Sequence, residues 1–204
     1  IKVPYGVDLK EFHLIKNEKK KNNKFRIIST GAISIRKGSH YLLEAFLNLN
    51  LPNSELVFVG DVSPDFQKIK KKYLKITNIK FVKKQKQEVL KYYYNNSDLF
   101  VLCSIEEGLA MGQAQAMACG LPVICTTNTG GSEIVDDDIS GYIIPIRNIE
   151  ILKDKIKILY NNRVKLEEMS KCAHVKANSE LSWEKYGDRM LKIYRELMQK
   201  KIKN

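Results

Sequence analysis

Four short runs of this sequence are apolar at consecutive rather than alternate positions. They lie within FRIISTG (25–31), ELVFVGD (55–61), DLFVLCS (98–104) and PVICT (122–126). A strand that is apolar on both faces must be covered on both faces, which is the condition of a parallel sheet between two helical layers. The intervening segments supply the covers. Residues 37–49 place Leu42, Ala45, Phe46 and Leu49 at helical spacing,. The same reading gives shorter strands at 79–82 and 141–146. It gives helices at 64–74, 87–95, 109–119, 149–160, 162–178 and 182–199, with a short one at 130–135. Regular alternation of strand and helix predicts an α/β fold, a parallel sheet with helices on both faces. The opening stretch IKVPYGVDLKEF reads as a linker and turn, broken by Pro4 and Gly6, and residues 16–24 read as an exposed lysine-rich loop,. There is no internal repeat.

Composition narrows the class. At 204 residues a single domain, 1–204, can bury roughly 70% of its unfolded surface. A hydrophobic content of 44% predicts a packed globule rather than disorder,. No apolar run reaches the roughly 20 residues of a membrane span, and no signal peptide opens the chain. A chain that begins at Ile1 reads as processed, trimmed or internal to a longer protein. Cys103, Cys119, Cys125 and Cys172 form no C-x-x-C pair and three of them lie in expected core strands or helices, so buried reduced thiols in a cytoplasmic protein are expected. His13, His40 and His174 are scattered, and no metal site is predicted. The net charge is +12, with lysines clustered at 19–21, 68–75, 83–86 and 200–203. No RNA-binding aromatic motif or helix-turn-helix accompanies them, so solvated helix faces are expected and nucleic acid is not. A basic domain can attract anionic substrates or an anionic membrane surface.

The chemistry concentrates in EGLAMGQAQAMACGLPVI, residues 107–124. Glu107 follows an apolar strand and precedes a helix rich in small residues. That places a carboxylate at the C-terminal end of a strand, where ligands bind in open parallel sheets. Exposed N–H groups at the helix start suit a diphosphate, and the carboxylate can accept from sugar or ribose hydroxyls. Other nucleotide signatures fail. Residues 31–38 lack the G-x-G-x-x-G of dinucleotide-binding dehydrogenases. Asp136-Asp137-Asp138 contains a D-x-D, but in a polar turn. Asp61 ends a strand as a receiver-domain phosphoacceptor would, without the other acidic residues of that pocket.

The motifs form an ordered set. Pro4-Tyr5-Gly6-Val7-Asp8 resembles the P-x-G-V-D segment after the interdomain hinge of family 4 glycosyltransferases of the GT-B fold. Ser29-Thr30-Gly31 through Arg36-Lys37-Gly38 resembles their phosphate-binding loop. The segment from Ser104 to Gly120 is similar to their Glu, seven residues, Glu block. Gly130-Gly131-Ser132-Glu133 and Gly141-Tyr142 match the next two. Each block alone is weak, but five in order, covering the chain from Pro4 onward, are specific. The resemblance implies the Rossmann-like C-terminal half of a GT-B fold and a retaining transferase that uses a nucleoside-diphosphate sugar, UDP being the expected nucleotide, without a required metal or other cofactor. It implies that Lys37 neutralises the donor diphosphate, that Arg36 assists, and that Glu107 contacts donor sugar hydroxyls. The N–H groups of Gly108 and Leu109 would face the diphosphate or sugar. Gly31 would let the loop approach the nucleotide, and backbone near Val82 and Lys83 would meet the base.

Two positions depart from the family pattern. Gln115 stands where a ribose-binding Glu is usual; its amide oxygen can accept and its NH₂ can donate, but without charge assistance. Ala32 stands where many members carry a phosphate-binding Arg. The resemblance also implies that the acceptor, a glycan or lipid, binds a separate N-terminal domain. The helices at about 149–199 would pack toward that domain, in the cytoplasm or at the inner face of the membrane. The other reading is a non-catalytic nucleotide-sugar-binding or regulatory subunit, partnered with a separate acceptor-binding chain.

Overall fold

A computed structural model describes residues 2–15 and 23–202. Six strands form one sheet: β1 (Phe25–Thr30), β2 (Ser54–Val59), β3 (Ile79–Val82), β4 (Leu99–Leu102), β5 (Val123–Thr126) and β6 (Gly141–Ile144). Their order is β3-β2-β1-β4-β5-β6, and every pair is parallel. Seven helices connect or follow them: α1 (Ser39–Leu49), α2 (Gln67–Tyr73), α3 (Gln87–Asn95), α4 (Met111–Ala118), α5 (Ile149–Asn161), α6 (Arg163–Glu180) and α7 (Trp183–Ile202). This is the Rossmann-like parallel sheet expected from the apolar runs.

The two-residue period of the strands sorts the core into two layers. Ile27 packs on one face with Leu42 and Phe46 of α1 and Leu152 and Ile156 of α5. Its neighbour Ile28 faces the other layer, with Tyr94 of α3, Ala114 and Met117 of α4, and Ala173 and Ala177 of α6. Small residues let α4 lie close to the sheet and α6 lie close to α4. Asn148 and Asn162 cap α5 and α6 by accepting from the N–H groups of Ile151 and Lys165,.

Some boundaries differ from the sequence expectation. The helix expected at 37–49 begins at Ser39, because Gly38 takes a left-handed φ of 64° that helical backbone excludes,. The helix expected at 109–119 begins at Met111, because Ala110 is extended. The short helix expected at 130–135 is one tight turn, Gly131–Glu133. The N-terminal stretch expected as a linker packs instead: Val7 and Phe12 are buried, and the Val7 N–H donates to the Leu181 carbonyl at 2.7 Å. Most of the lysine-rich loop expected at 16–24 lies outside the described residues.

Away from the strands' C-terminal ends, the sheet buries a charge. Glu55 of β2 has a fully buried side chain. Arg26, its register partner on β1, donates through Nε to Oε1 at 2.7 Å. Lys80 of β3 lies 2.6 Å from Oε2. Burial pushes the Glu55 carboxyl up, but the bonds from Lys80 and Arg26 outweigh it and hold the group below 4.5,. Its contribution to stability is therefore complete above pH 4.5 and is lost as the pH falls through the lowered value,. Replacing Glu55 with Gln breaks a buried pair and is expected to cost about 3 kcal/mol at pH 7. It should also flatten the loss of stability below pH 4.5. Urea denaturation of both proteins across that range checks this; an unchanged acid slope would remove Glu55 as its source.

Candidate functional site

The strand order reverses between β1 and β4, and α1 and α4 leave these strands toward opposite faces. A crevice opens there, at the C-terminal ends of the strands. Two loops line it: residues 31–38 after β1 and residues 103–110 after β4. They are bonded to each other, with the Ile105 N–H donating to the Arg36 carbonyl at 2.9 Å. Gly38 lies against the β4 end, where a Cβ would fall 1.9 Å from the Cys103 carbonyl oxygen. The loop after β5 holds the second loop from behind. Glu107 N–H donates to the Asn128 carbonyl at 2.9 Å, and the Asn128 amide donates to Ile105 O at 2.9 Å. The buried Gln113 of α4 secures that third loop by donating to Thr129 O at 2.9 Å.

This bracing brings Lys37 and Glu107 together across the crevice. The Lys37 Nζ donates to Glu107 Oε2, and both side chains are largely shielded, at 15% and 20% exposure. The Arg36 guanidinium lies 3.6 Å from the same carboxylate oxygen and donates to Glu106 O at 3.0 Å. Beneath them is a cavity of about 600 Å³, whose lining includes Gly31, Lys37, Glu107, Leu109, Met111 and Gln115. The N-terminus of α4 opens into it, since Met111 and Gly112 are part of the lining. That helix has no side-chain N-cap, so its first N–H groups and dipole favour an anion. Deeper in, Gln115 Oε1 accepts from the Tyr94 hydroxyl at 3.2 Å. The same hydroxyl is 2.8 Å from Thr30 Oγ1.

Five of the residues singled out from sequence thus line one cavity: Lys37, Glu107, Gly31, Leu109 and Gln115. Gly31 has a φ of 105° with open space where a side chain would project. Ala32 is also in the lining. Arg36 and Gly108 are exposed at the rim, and Arg36 turns to Glu106 and Glu107 rather than to the space beside Ala32. On the β3 side the wall is made by Lys84, Gln85 and Gln87. The Val82 carbonyl instead accepts from the Gly60 N–H at 2.9 Å. Tyr94 carries no signal in the sequence, and Thr30 enters there only as part of the loop motif. Thr30 only ends an apolar run, and Tyr94 is one of three consecutive tyrosines, of which the structure buries only this one.

Elsewhere the acidic turn is engaged structurally: Asp136 pairs with Lys176 at 2.5 Å and Asp138 with Lys165 at 2.7 Å. Among the described residues no group of three or more His, Cys, Asp or Glu is placed to hold a metal ion. Cys103, Cys119 and Cys125 are buried free thiols; burial pushes Cys119 and Cys125 up to about 12, so neither is a nucleophile at neutral pH,. Among the described residues no helix is long and apolar enough to cross a membrane.

Comparison with known proteins gives the family and the fold. Spore coat protein SA of Bacillus subtilis is 28% identical over 93% of this chain and 56% of its own length. The chain spans about half the length of the curated relatives it matches. The C-terminal domain of a glycosyl transferase group 1 family protein, LpcC, from Francisella tularensis superposes with a TM-score of 0.79. It is 23% identical, over 87% of this chain and 99% of that domain. HepE from Anabaena in complex with UDP superposes with a TM-score of 0.83 at 20% identity, over 95% of this chain and 57% of that one. These structures share the fold, the C-terminal half of a GT-B architecture. Residues 11–176 match the family described as glycosyl transferases group 1, and the chain belongs to that family.

Proposed function

We propose that this chain is the donor-binding domain of a retaining family 4 glycosyltransferase that takes its sugar from a nucleoside diphosphate. The observation that carries the reading is the convergence of Lys37, Glu107 and the uncapped start of α4 on one cavity at the sheet's switch point. A nucleoside-diphosphate sugar presents a diphosphate, a sugar and a ribose to such a site. Lys37 and the α4 N–H groups meet the diphosphate, whose charge grows as it leaves. Arg36 assists from the rim. Glu107 accepts from hydroxyls of the donor sugar, and Gln115 lies toward the ribose. The positive charge is supplied by these groups, so the reading calls for no metal. UDP is the expected nucleotide, and the UDP complex of HepE supports it.

The acceptor, a glycan or lipid, belongs in this reading to an N-terminal domain, with the reaction in the cleft between the two. In this reading the outer face of α7, where Trp183, Leu191, Tyr194 and Leu197 are each about half exposed, meets that domain. A cytoplasmic setting at a membrane face accords with such acceptors. The second reading, a non-catalytic nucleotide-sugar-binding subunit, is favoured by one observation: the neutral Gln115 in place of a carboxylate.

The chain alone is expected to bind a nucleoside diphosphate at one modest site and to transfer no sugar. Calorimetric titration of UDP, GDP and ADP tests this; a folded sample that binds none at millimolar concentration sinks the reading. Replacing Lys37 with Ala removes the nearer of the two cations beside the Glu107 carboxylate and leaves only Arg36 at 3.6 Å. Affinity for UDP should fall by about 2 kcal/mol, roughly 30-fold, the scale of a hydrogen bond to a charged group. Uridine, which lacks the diphosphate, should lose far less. Equal losses for the two ligands would remove Lys37 from the diphosphate.

A further inference from the structure

Asp65 stands outside the cavity, on the tight turn Pro64–Phe66 that follows β2. Phe66 is fully buried in the layer that holds α1, and Pro64 fixes its own φ, so the turn is firmly seated although Asp65 is exposed. The carboxylate reaches back to the loop after β1. Its Oδ2 accepts from the Ile35 N–H at 3.0 Å, and its Oδ1 accepts from the Ser63 hydroxyl. The bonds from Ser63 and Ile35 hold the carboxyl below its ordinary value, so it is ionised at neutral pH,. Ile35 opens the turn that carries the cations of the site. Its carbonyl accepts from the Gly38 N–H at 2.9 Å, which makes Arg36 and Lys37 the two central residues. The loop is slung between its neighbours. Asp65 holds Ile35 from the β2 side, and the Ile105 N–H holds the Arg36 carbonyl from the β4 side.

Most of the loop's own donors are used in this fastening. The N–H groups of Gly31, Ile33, Ser34, Ile35, Lys37 and Gly38 all donate within the protein. Little backbone is left to cradle a phosphate, so an anion at this wall depends on where the Lys37 ammonium stands. We propose that Asp65 is a positioning residue for Lys37: by fixing Ile35 it sets the course of the turn and the place of the Lys37 ammonium, without touching the ligand. The inference rests on the nucleoside-diphosphate reading of the cavity. The negative charge of Asp65 acts in the opposite sense, because a carboxylate near a diphosphate repels it. Positioning and repulsion therefore give opposite signs when the carboxylate is removed.

The test measures UDP and uridine binding by calorimetry in the wild type, in Asp65→Ala, in Asp65→Asn, in Lys37→Ala and in the double variant Asp65→Ala with Lys37→Ala. Asp65→Ala should weaken UDP binding by about fivefold, within the range of coupling between members of one hydrogen-bond network, and leave uridine nearly unchanged. Asp65→Asn removes the charge but keeps an acceptor for the Ile35 N–H, so it should hold UDP nearly as well as the wild type or better. In the Lys37→Ala background, Asp65→Ala should cause no further loss of UDP affinity. Tighter UDP binding in both Asp65 variants would leave only the charge effect and overturn the positioning role. Equal losses for UDP and uridine, an unchanged UDP affinity in Asp65→Ala, or a loss that persists in full without Lys37 overturns it as well, with the nucleotide reading intact. Failure of the folded wild type to bind UDP, GDP or ADP overturns the nucleotide reading itself.

Discussion

The parallel pairing of β1 with β4 is the constraint on which the rest of the structure depends. Ile27 lies opposite Leu99 and Ile28 opposite Phe100, so strands separated in the chain by α1, β2, α2, β3 and α3 become neighbours in the sheet. Each strand is apolar on both faces, so the pair is stable only when helices cover it from both sides. The covers come from opposite directions, α1 over one face and α4 over the other. The loops that lead into those helices must then part company above the strand ends. The crevice is the geometrical result of that divergence, and no residue within it needs to create it.

What fills the crevice is a balance of charge. The Lys37 ammonium contacts the Glu107 carboxylate in a partly shielded setting, where each offsets the desolvation of the other. The cation is therefore present in the ligand-free protein without being stranded. The uncapped start of α4 adds partial positive charge that cannot be neutralised by rearranging a side chain. An anion entering the site competes with Glu107 for Lys37, but meets no competitor among capping side chains for the helix terminus. In the proposed reading a sugar-nucleotide would present an anion to the cation and hydroxyls to the carboxylate.

The sheet was readable from sequence because consecutive apolar positions carry an unambiguous demand for two-sided burial. Glu107 was readable from its place between a strand end and a helix start, whereas Lys37 and Gln115 were readable only through the ordered motifs that carry the family resemblance; the structure sets all three on one cavity. The features that escaped are those made by distant segments. Glu55 reads as an ordinary polar strand position, and only the register brings Arg26 and Lys80 to it from neighbouring strands. Tyr94 escaped because three tyrosines in succession point to different sides of a short helix, and composition does not say which one turns inward. The N-terminal segment, read as a linker from Pro4 and Gly6, is instead anchored because Val7 finds a backbone partner at Leu181, 174 positions along the chain.

The hydrogen bond from Ile105 to the Arg36 carbonyl and the contact of Gly38 with the end of β4 give the crevice a fixed gauge. Neighbouring strands lie about 4.8 Å apart, and the two loops are fastened to each other just above a neighbouring pair. The gap between the basic and acidic walls is therefore inherited from the repeat of the backbone. Except at Gly38, where a Cβ would strike the Cys103 carbonyl oxygen, side chains can be exchanged along either wall without unfastening the loops. The molecule offers a slot of constant calibre in which the chemistry of the lining can vary while the span stays the same.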